Sequence, residues 1–428
     1  MGFVYWDRPL GNSLTGLPLL TVLTLCCGTG FLLFGYDQGV MGGLIGGEDF
    51  LNTFPSLRTN STLLGATVAI YEIGALFGSL FASLYGDVLG RRKALIIGCF
   101  FAFTGGAVQG GSDGPNALAI LIFFRIWTGL GIGVLTSLLP AFHADWLAQK
   151  GRLDEAREVL VRYNGKEEAE IIFAEIEMAI AMEQQAAVHS WFDAFRGGPQ
   201  KFRYRTLLGM GALFAQQMTG VNVISYSTVI FTESVGLSRN LALILSGCNG
   251  INSLCFVIVG MFLVDRVGRV RLMWITAACH VAFFATMAGV LHSGTPSYGE
   301  GVTGACMLFL FFATFSFGWL AGASLSSMSN WIWNFVIVMV TPPAIEGIQG
   351  YYYIVFAVTN ALLVPMLLCF YPETARLSLE EIDALFADGK AHLRRSPREP
   401  VQGFIEGVSN GVKVQGETQH VEKASVSV

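Results

Sequence analysis

The chain has 428 residues, of which 53% are hydrophobic and 13% charged, with a formal net charge of −5 and a mean hydropathy of +0.55. A soluble domain carries about 25% charged residues. Half that complement excludes a soluble enzyme, a nucleic-acid binder and a disordered protein, and leaves a chain that crosses a lipid bilayer several times.

A span takes about 20 mostly apolar residues. In chain order, such runs fall near 17–45, 62–85, 94–112 and 117–140. After a polar stretch they resume near 206–231, 240–264, 272–292, 302–321, 323–342 and 350–371. Ten spans are therefore predicted. The first run is long and follows a polar lead, so it reads as a span and not as a cleaved signal. The 51 glycines suit helices packed closely in lipid. The eight cysteines all lie inside apolar runs without metal-ligand spacing, and read as small core residues. No metal or cofactor is expected.

Charge sets the orientation. Arg91, Arg92 and Lys93 follow the second span, and Arg266, Arg269 and Arg271 follow the sixth. The stretch 144–205 and the tail at Arg394, Arg395 and Arg398 are also basic. The positive-inside rule makes all of these cytoplasmic and puts both termini inside. The loops at 46–61, 232–239 and 293–301 are then outside, with a glycosylation sequon at Asn60 hard against the second span. Between the two groups of spans, Glu155, Arg157, Glu158 and Arg162 suit a charged surface helix, and Glu167 to Gln185 a second one. The tail beyond Phe386 is expected to be disordered. The chain thus divides into an N-terminal bundle (1–141), a cytoplasmic linker (142–205), a C-terminal bundle (206–371) and a cytoplasmic tail (372–428).

Three ionisable side chains fall deep inside spans: Asp37, Glu72 and Arg125. Each costs at least ~2.5 kcal/mol to insert, so each needs a partner or a wet cavity. At 1.5 Å per residue, Asp37 and Arg125 both lie about 12–14 Å below the outer surface. Equal depth permits an ion pair, either as a structural bridge or as a proton switch in which protonation of Asp37 releases Arg125. Glu72 reads as a paired core carboxylate, with a second proton site as the alternative. Amides cluster as well: Gln216, Gln217 and Asn222 in one span, Asn249 and Asn252 in the next, and Asn330 beside Trp331 and Trp333. Amides match hydroxyl-rich ligands and aromatic faces pack on sugar C–H surfaces. The same residues also serve as interhelical hydrogen bonds worth about 0.6 kcal/mol each.

At these residues the chain resembles the sugar porter branch of the major facilitator superfamily, in its fungal form. FGYDQGVMGG (Phe34–Gly43) resembles the first-helix signature. GDVLGRRKAL (Gly86–Leu95) resembles the loop between helices two and three, and DRVGR (Asp265–Arg269) its repeat in the second half. RIWTGLGIGVLTSLLP (Arg125–Pro140) resembles helix four, QQMTGVN (Gln216–Asn222) helix seven, NWIWNF (Asn330–Phe335) helix eleven and PETARLSLEEID (Pro372–Asp383) the end of helix twelve. The resemblance implies an all-α membrane protein of two helical bundles working by alternating access. It implies that Gln216, Gln217, Asn222, Asn252, Asn330 and Trp331 bind a monosaccharide and that Asp37 beside Arg125 takes a coupling proton. It also implies a cytoplasmic charge latch of Gly86, Asp87, Gly90, Arg91, Arg92, Asp265, Arg266, Gly268 and Arg269.

The chain departs from that pattern twice. After AFHAD (Ala141–Asp145) comes WLAQKGRLDEAREVL (Trp146–Leu160), which resembles the segment following helix six, so helices five and six are missing. After GWLAG (Gly318–Gly322) the loop between helices ten and eleven is missing too, which leaves about ten spans instead of twelve. The expected function is proton-coupled monosaccharide symport in a plasma membrane. The alternatives are a non-transporting truncated isoform or sensor-like paralogue, and a carrier of a polyol or disaccharide. No nucleophile–base pair, metal cluster or phosphate loop suggests an enzyme.

Overall fold

The computed structural model describes residues 17–45, 47–138, 153–166, 169–170, 173, 202–226, 228, 230–234, 236–292, 297–320, 327–374 and 386. Both junctions where the resemblance breaks, most of the linker and the tail beyond Phe386 lie outside these residues. Every regular element among the described residues is helical.

Each of the ten expected spans falls on helix among the described residues, the one at 206–231 with a break. In the N-terminal half they are α1 (Leu17–Leu44), α4 (Ser61–Leu89), α5 (Arg91–Gly110) and α6 (Ala117–Leu138), with two short helices, α2 (Glu48–Thr53) and α3 (Pro55–Thr59), between the first two spans. Helix α7 (Leu153–Asn164) belongs to the linker. The C-terminal half comprises α8 (Phe202–Met218), α9 (Arg239–Val267), α10 (Arg269–Val290), α11 (Tyr298–Phe315, prolonged by a wider turn at Ser316–Leu320), α12 (Ser327–Ile348) and α13 (Tyr352–Phe370). Seven stretches among the described residues are long and apolar enough to cross a membrane, the last of them containing both α12 and α13. Large apolar side chains face outward along them, such as Phe103 and Phe262, each more than two-thirds exposed. That outward face suits hydrocarbon and not water.

Local chemistry explains the helix boundaries. The exposed Asn60, the sequon residue, caps α4 by accepting from the Leu63 amide at 2.9 Å. Ser297 and Glu300 form a reciprocal capping box at the start of α11. Gly90 and Gly268 precede α5 and α10 with φ +83° and +107°. The two basic loops therefore share one left-handed backbone, as repeats in two related halves should.

Within the N-terminal half, α4 and α6 pack backbone to backbone. A Cβ on Gly78 would lie 2.1 Å from the Leu130 carbonyl oxygen, and one on Gly133 would lie 2.1 Å from that of Ala75. Small residues let the helices approach this closely, which in lipid supplies the van der Waals contact that no hydrophobic effect provides. The C-terminal half is held by a buried aromatic cluster in which Phe284 meets Phe311 at 4.8 Å and Phe356 at 5.3 Å. Helix α12 leans across onto α4 and joins the halves.

Two elements are interrupted. The span expected at 206–231 stops at Met218, turns at Gly220 (φ +98°) and resumes as a tight 3-10 segment, Val221–Tyr226. The carbonyls freed by the break are taken up by α13. Thr359 donates to Met218 O at 2.9 Å and Asn360 to Thr219 O at 3.1 Å, so the break is satisfied inside protein. His280 extends this network, lying 3.3 Å from Asn360 and 3.1 Å from Thr314.

Helix α12 carries Pro342 and Pro343, which leave the carbonyls of Val338 and Met339 without their helical donors. The Tyr226 hydroxyl donates to Val338 O at 2.9 Å. Replacing Tyr226 by Phe strips a buried carbonyl of its donor and is expected to cost about 1–3 kcal/mol. A lower melting temperature of the purified protein reads this; an unchanged one would show that the carbonyl has another partner.

Candidate functional site

Three of the expected ligand residues are brought together. Asn222, in the 3-10 segment, donates to Gln217 Oε1 at 2.8 Å, and Gln217 Nε2 donates to Asn330 Oδ1 at 2.5 Å. The amide chain joins the broken seventh span to α12. Gln216 is buried one residue before it. The helix break creates this arrangement, because it lets Asn222 fold back towards the end of α8. An amide relay of this kind presents paired donors and acceptors, which is what a polyhydroxylated ligand requires.

Two expected ligand residues lie elsewhere. Asn252 donates to the Phe309 carbonyl at 3.0 Å and to Asn249 at 3.4 Å, tying α9 to α11. Trp331 points away from the amides into the N-terminal half. There it packs edge-on against Phe34 at 5.5 Å and donates to Ser79 Oγ at 2.7 Å. The one-residue step from Asn330 to Trp331 turns about 100° around the helix, so neighbours in a motif serve opposite halves.

The three intramembrane charges do share one neighbourhood. The Arg125 charge acts on both Asp37 and Glu72. Among the described residues, however, Asp37 and Arg125 form no ion pair within 4.0 Å. Arg125 donates instead to the Val68 carbonyl at 3.0 Å and stands 5.3 Å from the Tyr71 ring centre, the Tyr71 hydroxyl stands beside the Asp37 carboxylate, and Asp37 Oδ2 and Arg125 Nε are buried without partners. Depth along a helix gives the level of a charge but not its azimuth, which is why equal depth did not ensure contact. Glu72 is paired, accepting from Gln38 at 2.7 Å and Asn334 at 2.6 Å. Neither partner was among the expected site residues, although Gln38 adjoins Asp37 and Asn334 lies one turn after Asn330.

At the basic loops, Gly90 and Gly268 occupy equivalent turns, Gly86 lies in the last turn of α4, Arg269 opens α10, Arg266 is exposed, and Asp87, Arg91, Arg92 and Asp265 are helical positions whose side chains lie outside the description. Glu373 was not expected here. Its carboxylate accepts from the backbone N–H of Arg269 at 2.8 Å and of Arg271 at 3.2 Å, and so caps the N-terminus of α10. A Cβ on Gly268 would stand 2.4 Å from Glu373 Oε2, so only glycine admits the cap. In the linker, Arg157 binds Glu170 through both carboxylate oxygens and holds its carboxyl below the usual range. The pair is exposed, so it adds little to stability.

The family described as "Sugar (and other) transporter" matches residues 22–145 and 144–386. The chain belongs to the sugar transporter family. As a member of it, the chain is a multi-pass membrane protein of the major facilitator superfamily and not an enzyme. The MFS-type transporter oryC of Aspergillus oryzae is 28% identical over 520 aligned positions, covering 97% of this chain and 95% of its own. The sugar transporter STL1 of Saccharomyces cerevisiae is 28% identical over 88% and 82%, and the high-affinity glucose transporter 1 of Candida albicans 24% over 83% and 84%. Among solved structures, the fold resembles the proton:xylose symporter XylE bound to 6-bromo-6-deoxy-D-glucose (TM-score 0.70, 19% identity, 85% of this chain and 98% of that one). It also resembles the partially occluded, inward-open form of XylE from E. coli (TM-score 0.65, 19% identity, 82% and 99%).

Proposed function

We propose that the chain is built to carry a monosaccharide across a plasma membrane by alternating access, coupled to a proton, with both termini cytoplasmic. The observation that carries this is the hydrogen-bonded relay Asn222–Gln217–Asn330. It spans a helix break inside the C-terminal half, and discontinuous helices are where secondary transporters place substrate. The buried Asp37, with an unpartnered oxygen in the field of Arg125, supports proton coupling. The relatives named for sugar and glucose transport support the substrate class. Substrate binding is tested by melting the purified full chain with panels of monosaccharides, polyols and disaccharides. A saturating ligand at 100 times its Kd should stabilise the fold by ~2.7 kcal/mol. Gln217→Ala should abolish the shift. Stabilisation by polyols alone would move the substrate class, and stabilisation by none would remove the reading.

A second reading, a chain that binds substrate but does not transport it, is supported by two specific features. The two family matches meet at Ala144–Asp145, and an alignment of 520 positions to a chain of 428 residues must skip positions in it. Both facts favour a chain in which helices five and six are absent.

A further inference from the structure

Among the described residues the seam between α4 and α12 is the broadest contact between the two halves, and it is antiparallel, with three specific contacts spaced seven residues apart along α4. Gly65 meets Met339, where a Cβ would stand 2.5 Å from the carbonyl oxygen freed by Pro343. Glu72 Oε1 accepts from Asn334 Nδ2 at 2.6 Å, and Ser79 Oγ from Trp331 at 2.7 Å. Glu72 is 2% exposed and Asn334 4%.

The bonding at the middle contact is incomplete in a specific way. Glu72 Oε1 has two donors, Gln38 and Asn334, yet Glu72 Oε2 and Asn334 Oδ1 are both buried without a partner. Were Glu72 ionised, both orphans would be pure acceptors, and a buried acceptor left bare costs roughly 1–3 kcal/mol, more when charged. Arg125 does not relieve this, since its hydrogen bond goes to Val68. The other titratable groups around the carboxyl are Asp37 from α1, Tyr71 on α4 itself and Tyr226 from the 3-10 segment, none of which bonds Oε2. One proton on Oε2 removes both deficits. Its O–H donates to Asn334 Oδ1 while Oε1 keeps the Nδ2–H, and the acid and the primary amide close a ring of two hydrogen bonds.

We infer that Glu72 is a neutral acid in this conformation and forms with Asn334 a proton-closed clasp between the two halves, which opens when the proton leaves. Deprotonation sets Oε2 and Oδ1 lone pair against lone pair, which favours separation of α12 from α4 at mid-membrane. The protonation of Glu72 stands independently of the transport reading; only the use of its opening in alternating access rests on that reading.

Infrared spectroscopy of the full chain in liposomes tests the clasp. Gln at this position keeps both ring bonds and mimics the closed acid, so Glu72→Gln is expected to fold. The wild type at neutral pH should show a protonated-carboxyl stretch that Glu72→Gln lacks and that bleaches as pH rises. Asn334→Leu should move the band to higher frequency, because the acid carbonyl loses its amide donor. A proton held by the folded state and not by the unfolded one makes stability fall as pH rises. The wild type should therefore lose melting temperature relative to Glu72→Gln through the same pH range. Identical wild-type and Glu72→Gln spectra in that region would show Glu72 ionised and overturn the inference, as would a band that Asn334→Leu leaves unmoved. A Glu72 band in a chain that no sugar stabilises would uphold the clasp and sink the transport reading alone.

Discussion

In a chain with the segment after its fourth span restored, Asp37→Asn is expected to abolish uphill accumulation of substrate while leaving exchange across the membrane intact. The charge of Arg125 acts on Asp37 across a gap that no ion pair closes, and Asp37 Oδ2 has no partner. A carboxyl so placed has two states of different charge in low dielectric, and the surrounding helices respond to the difference. Asparagine has the shape of the protonated state and cannot change charge. The amide relay of Gln217, Asn222 and Asn330 bonds to neither group, so binding and exchange should survive. A proton moving through 100 mV supplies ~2.3 kcal/mol, enough for roughly 50-fold accumulation. The mutant should fall to a ratio of about one. Uptake of labelled sugar into energised cells, with counterflow as the control for exchange, measures both; accumulation by the mutant would place the coupling proton elsewhere. The experiment requires a chain that moves substrate, which leads to the second expectation.

Inserting the segment that a full-length relative carries between its fourth helix and its linker, at the Ala144–Asp145 junction, should raise sugar uptake from background to a saturable rate in a transporter-null host. The chain as it stands should bind substrate but carry little of it. The C-terminal half holds the whole amide relay, so binding does not need the inserted helices. Alternating access does need two bundles that rock as units, and an N-terminal half of four spans would have fewer walls to close against α12. Uptake by the present chain equal to that of the repaired one would refute this packing argument.

Composition and the length of the apolar runs alone pointed to the class, the ten spans and their helical nature, because the low charge and the 20-residue apolar runs answer to bilayer thickness and to nothing about neighbours. The residue types at Gln217, Asn222 and Asn330 also marked a polar site before any fold was known, since buried amides in lipid need partners. Which partners they find was decided by tertiary structure. Asn252 and Trp331 sit in motifs as suggestive as the others, yet the azimuth of each side chain sends one to the Phe309 carbonyl and the other into the N-terminal half. Asp37 and Arg125 lie at one depth and still do not touch, whereas Glu72 meets Asn334, 262 residues away in sequence. The physical reason is the same in each case. A sequence records the height of a residue along its own helix, while hydrogen bonds depend on the rotation of that helix and on which neighbour it faces. Those are set by close contacts such as Gly78 on Leu130 and Gly65 on Met339, which exist only when the helices are packed.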